Sequence, residues 1–74
     1  MLVECAAPAG AEPEPTRFQL GARSVEVEEV LDRWLARDHR YFKLRGKDAA
    51  IYLIRHDVPS GHWELTQFLS TTAH

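Results

Sequence analysis

Three segments decide the fold of this chain: YFKLRG at residues 41–46, AAIYLIRH at 49–56 and HWELTQF at 62–68. Each is short, rich in β-branched and aromatic residues, and bounded by turn formers, which is the pattern of strands joined as hairpins. The second junction, Val58-Pro59-Ser60-Gly61, suits a type I turn at Pro59-Ser60 followed by Gly61 in the left-handed conformation. The first junction is read as a two-residue turn at Lys47-Asp48, which sets Leu44 opposite Ile51 and Phe42 opposite Leu53. The second then sets Arg55 opposite Leu65, His56 opposite Glu64 and Asp57 opposite Trp63. Side chains alternate along a strand, so these registers predict an apolar face of Phe42, Leu44, Ile51, Leu53, Trp63 and Leu65. The opposite face carries Tyr41, Lys43, Arg45, Tyr52, Ile54, His56, Glu64, Thr66 and Phe68.

Upstream, Arg17–Leu20 followed by Gly21 reads as a short strand entering a turn. The segment Ser24 to Leu35 supports two readings. Val27, Val30, Leu31, Trp34 and Leu35 recur with helical spacing, with Ser24 as a cap and three glutamates near the start. Val25 and Val27 also alternate with Glu26 and Glu28, and a bulge near Glu29 would carry a long bent strand onward to Leu31. The strand predicts an all-β domain, a small five-stranded antiparallel meander of SH3-like or half-open barrel form, with Asp32 beside Lys43 and Trp34 beside Tyr41. The alternative is an α+β arrangement with a helix over 24–36 packed on a three-stranded sheet.

Residues 1–16, MLVECAAPAGAEPEPT, are rich in Ala, Pro and Glu and lack apolar periodicity. They are expected to be a disordered acidic tail, with residues 17–69 as the single small domain and 70–74 as a frayed end. A folded unit of that size is close to the limit for one core, so a partner or a second copy would help it. Cys5 is the only cysteine, so no disulfide framework exists and an incidental thiol is expected. The start lacks the basic region of a signal peptide, and nothing approaches the ~20 apolar residues of a membrane span. A cytoplasmic protein with no membrane association is expected.

The net charge of −2 hides an asymmetry. Residues 1–30 balance at −4, residues 31–56 at +4 and the remainder at −2. The cations therefore gather on the central strands, where an acidic tail could fold back over them. Four histidines match no zinc spacing, and no nucleophile-base order or phosphate-binding glycine loop is present. No cofactor, metal, small-molecule substrate or enzymatic activity is expected. The candidate interaction face is Trp34, Tyr41, Lys43, Arg45, Tyr52 and His56, where aromatic rings interleave with cations. It points to an interaction or assembly module engaging a protein partner or forming a homodimer. The alternative is nucleic-acid binding through ring stacking and phosphate contacts, which the net acidity of the chain disfavours.

Val30-Leu31-Asp32-Arg33-Trp34, Tyr41 to Arg45, Tyr52 to Asp57 and Trp63-Glu64-Leu65 together resemble a family of short uncharacterised bacterial β-rich proteins. Their pattern runs VLDRW…YFK(V/L)R…YxLRxD…WxL, and the match covers Phe18 to Phe68. The chain departs from it after Arg45, where Gly46-Lys47-Asp48-Ala49 replaces an Asp-Gly turn. The resemblance implies a β fold; the family has no established activity, so function is left open.

Overall fold

The structure, a computed structural model, describes residues 1–7, 10 and 12–69. Six strands follow in chain order: β1 (Leu2–Ala6), β2 (Glu14–Leu20), β3 (Arg23–Leu35), β4 (His39–Gly46), β5 (Ile51–Asp57) and β6 (His62–Leu69). Each pairs antiparallel with the next, giving a six-stranded meander curled into a half-barrel. The all-β reading holds, with one strand more than expected. Among the described residues there is no helix, and so none long and apolar enough to cross a membrane.

The ambiguous segment is the long strand β3. Its first part pairs with β2 (Phe18 with Val25), and the remainder with β4 (Val30 with Leu44, Trp34 with Tyr41). Two register shifts, at Val27/Glu29 and Val30/Asp32, each insert one residue. Inward positions therefore fall at Val25, Val27, Val30 and Arg33, with spacings that imitate a helical period. The bulges also bend the strand, which lets one element serve both halves of the curl.

The core sits inside the curl: Phe18, Val25, Phe42, Leu44, Ala50, Tyr52 and Ile54 are buried, with Val27, Val30, Trp63 and Leu65 packed against them. This corrects the expected faces of β5. Tyr52 and Ile54 point inward, whereas Ile51 and Leu53 lie half-buried on the other side. Leu44 pairs with Tyr52 and Phe42 with Ile54, because the first hairpin loop holds three residues, not two. Gly46 donates to the Ala50 carbonyl (2.9 Å), and Ala49 takes the left-handed position at φ 71°. The second hairpin also slips by one residue, in the opposite sense: Asp57 pairs with His62, His56 with Trp63 and Arg55 with Glu64. Gly61 is left-handed at φ 75°, as the turn chemistry requires. The two slips cancel across β5, so Trp63 and Leu65 return to the expected core side.

Residues 1–16 depart further from expectation. Leu2–Ala6 is a strand paired along β2, Val3 lies beside Phe18, and Met1 and Val3 pack on the core. β2 itself begins at Glu14, within the stretch expected to be disordered. A five-residue edge strand with so few inward side chains has almost no periodicity to detect. The expected fraying of 70–74 lies outside the described residues.

Candidate functional site

The outer face of β3 to β6 is a grid of three rows, each crossing four strands. Paired positions place Trp34, Tyr41, Arg55 and Glu64 in one row. The next holds Asp32, Lys43, Leu53 and Gln67, and the third Glu29, Arg45, Ile51 and Leu69. Alternation puts them all on one side of the sheet, away from the core.

In the first row the Trp34 and Tyr41 rings stack in parallel, with centroids 5.2 Å apart. Arg55 hydrogen-bonds Tyr41 and lies 2.5 Å from a Glu64 carboxylate oxygen; the Tyr41 bond and then Glu64 hold its pKa above the ordinary arginine value. In the third row Arg45 is ion-paired with Glu29. In the middle row Asp32 accepts the Arg33 amide at 2.8 Å, while Lys43 is exposed and no carboxylate among the described residues lies within ion-pair distance of it. A shallow depression of about 190 Å³ runs between Trp34, Lys43, Ile51, Leu53, Gln67 and Leu69.

Four of the six candidate residues, Trp34, Tyr41, Lys43 and Arg45, therefore share this face. Tyr52 and His56 do not: both were placed there by the register that the first loop displaces. Tyr52 is fully buried. Its hydroxyl donates to Asp48 Oδ2 (2.6 Å) and accepts from Arg23 Nη2 (2.7 Å). Burial, and then the Asp48 carboxylate, push its pKa up to about 12 despite the opposing Arg23 charge. His56 stacks on Trp63 at 4.2 Å on the inner side. Burial and the Arg40 charge draw its pKa below the usual value, against Asp57.

Ile51, Leu53 and Arg55 belong to the outer face and were missed for the same reason that Tyr52 was included. A larger cleft, about 340 Å³, opens at the far end of the curl between residues 12–14 and the β3–β4 corner. Arg33 and Arg40 line it, ion-paired with Glu14 and Glu12 respectively. Sequence reasoning anticipated an acidic tail folding onto basic strands but not these two arginines. Their separation in the chain gives no signal until the β3–β4 pairing is known.

Among the described residues no three His, Cys, Asp or Glu side chains cluster as metal ligands. Comparison of the chain with known protein families, curated proteins and solved structures finds no match.

Proposed function

We propose that this chain is a small non-enzymatic interaction and assembly module whose outer face receives a second copy of itself. The observation that carries this reading is the charge arithmetic of the grid. Each row holds one acid and one base among apolar or aromatic residues, so the face is electroneutral while displaying Trp34, Tyr41, Leu53, Ile51 and Leu69. A surface built to follow phosphates would carry an excess of cations, because phosphate neutralisation supplies most of such affinity.

The face is also complementary to itself. A two-fold axis along the strands lays β3 over β6 of a second copy and β4 over its β5. Tyr41 then meets Arg55 of the second copy, an arrangement suited to cation–π contact, and no like charges oppose one another. Four strands by three rows project roughly 20 × 20 Å, about 400 Å², against the ~800 Å² per partner of a standard stable interface. The expected dimer is weak and reversible.

Sedimentation equilibrium from about 10 μM to 1 mM tests this, that range being where an interface below standard size dissociates. Leu53→Lys, which places a charge in the centre of the grid, should abolish self-association while leaving the fold intact. A chain that stays monomeric throughout, or a Leu53→Lys variant that dimerises equally, would overturn the reading. One observation favours nucleic acid as a second reading: among the described residues Lys43 carries no ion-pair partner, and it stands beside the Trp34–Tyr41 stack. Absence of oligonucleotide binding at about 50 mM salt would remove it.

A further inference from the structure

The cleft at the end of the curl borders the outer face at Trp34 and Tyr41, but its two arginines, Arg33 and Arg40, belong to none of the grid's rows. Arg33 lies opposite Phe42 and Leu35 opposite Arg40, so Arg33 and Arg40 are diagonal neighbours on adjacent strands. Diagonal neighbours sit ~7–8 Å apart, close enough for two guanidinium groups to repel without an anion between them. In an extended chain, side chains two residues apart project on one side and are separated by ~6.6–6.8 Å. Glu12 and Glu14 are two residues apart in the sequence, and each carboxylate meets one of the two arginines. The match is of paired acids to paired bases, not of one stray contact.

Two further observations show that the acidic segment does not fill its site. A volume of about 340 Å³ remains open between it and the strands, walled in part by Leu35 and Phe42. The Glu12 side chain is 78% exposed, so its ion pair is open to exchange with water and with competing carboxylates. The positive field of Arg40 also reaches across to His56 on β5.

We propose that this cleft binds an extended acidic segment of a partner protein, with carboxylates two residues apart, and that Glu12 and Glu14 occupy it in cis as an internal stand-in. Removing the stand-in frees both arginines for a ligand supplied in trans. Residual space beside Leu35 and Phe42 then accepts an apolar side chain of the incoming segment.

The test uses the full chain and two acetylated peptides, GAEPEPT, copying residues 10–16, and its glutamine counterpart GAQPQPT. Binding is followed by amide chemical shifts over residues 33–42. The Glu12→Gln/Glu14→Gln chain should bind GAEPEPT about two- to thirty-fold more tightly than the unaltered chain, the range spanned by two exposed ion pairs. Adding Arg33→Gln and Arg40→Gln should abolish that binding, and GAQPQPT should bind neither chain. Equal affinity of the two peptides, no gain on removing the glutamates, or binding that survives loss of both arginines would each overturn the proposal. Glu12→Gln alone, outside any strand, gives the same comparison should the double variant fail to fold. Saturable shifts that appear without peptide on raising the protein concentration would assign the ligand to the same segment of a second copy, and would overturn a separate partner.

Discussion

Replacing Tyr52 by Phe isolates the one buried polar group on which the first hairpin depends. The ring would keep its edge-on contact with Phe18, 4.9 Å between centroids, and its tilted contact with Phe68 at 5.1 Å. Only the hydroxyl is lost, and with it the bond donated to Asp48 and the one accepted from Arg23. Hydrogen bonds to charged groups contribute roughly 1.5–3 kcal/mol each when water cannot replace them. Here the Arg23 and Asp48 side chains are 61% and 40% exposed, Asp48 keeps the Ala50 amide at 3.1 Å, and Arg23 keeps its contact with Asp48 at 3.5 Å. Water restores much of what each loses, so the pair together should cost about 1.5–2 kcal/mol. For a domain of this size that lowers Tm by about 6–16 °C.

The pH dependence separates this account from simple loss of packing. Asp48 is held below its usual 3.8 because hydrogen bonds from Tyr52 and Ala50 and the charge of Arg23 override the opposing effect of burial. A carboxyl with a depressed folded-state pKa contributes stability above its unfolded value and loses it as the pH falls through the folded one. Tyr52→Phe removes part of that depression, so the gap between the two proteins should narrow from about pH 5 to pH 2. At the alkaline end the sign reverses. Tyr52 is raised from 10 to about 12, so its contribution is complete below 10 and disappears as the pH rises through 12. The unaltered protein should therefore lose stability over that interval and the Phe variant should not. Thermal and urea unfolding at matched pH values measure both effects. A loss under about 0.5 kcal/mol at pH 7, or a gap of constant size from pH 7 to 2, would refute the Tyr52–Asp48–Arg23 network as a source of stability.

The same hairpin yields a pair of opposite predictions. Ala49→Gly should stabilise by about 0.5–1 kcal/mol, because a left-handed residue with a Cβ is strained and Gly is not; Tm measurement showing destabilisation would contradict the loop geometry. Gly46→Ala should destabilise by about 1–3 kcal/mol in denaturant titration, since an added Cβ would lie 2.6 Å from Asp48 Oδ1 and 2.9 Å from Val25 Cγ1. His56 has a depressed pKa from burial and the Arg40 charge, so its contribution is complete above the usual 6.5 and is lost as the pH falls through the folded-state value. His56→Phe, which keeps a ring against Trp63, should flatten the stability profile between about pH 7 and 5.

From Phe18 onward the strands were legible in this sequence, as was the pairing of Asp32 with Lys43 and Trp34 with Tyr41, whereas β1 and the registers of the last two hairpins were not. Residues 41–68 announced three strands through composition and turn chemistry, and Pro59 and Gly61 placed the second turn correctly. The loop lengths were hidden. Nothing in Gly46-Lys47-Asp48-Ala49-Ala50 alone reveals that Ala49 adopts a left-handed conformation, because the loop is also held by Tyr52 and Arg23, which lie outside it. Asp48 reaches Tyr52 and the Ala50 amide, and Arg23 arrives from β3 to share the phenol. Together they hold a three-residue loop where local preference favoured two. The same network explains why a tyrosine lies on the core side: its hydroxyl is satisfied where its ring is buried.

The candidate site inherits its errors from the two loops that flank β5. The one-residue slip at the first exchanges the faces of β5, and the opposite slip at the second restores those of β6. Tyr52 and His56 therefore left the outer face together, and Ile51, Leu53 and Arg55 entered it together, while Trp34, Tyr41, Lys43 and Arg45 stayed. The exchange alters the functional reading more than it alters the fold. With Tyr52 and His56 in place the face reads as rings and cations. With Leu53, Ile51 and the Arg55–Glu64 pair it becomes electroneutral and partly apolar. Its one cation without an ion pair among the described residues, Lys43, is too little to follow a phosphate chain, since salt-dependent affinity scales with the number of phosphates neutralised. The excess positive charge of residues 31–56 has gone elsewhere: to Arg33 and Arg40, on the opposite side of the sheet, where Glu14 and Glu12 meet it. The asymmetry in the sequence thus records an attraction between the acids at 12 and 14 and the β3–β4 corner, and that attraction is what a competing acidic segment would have to displace.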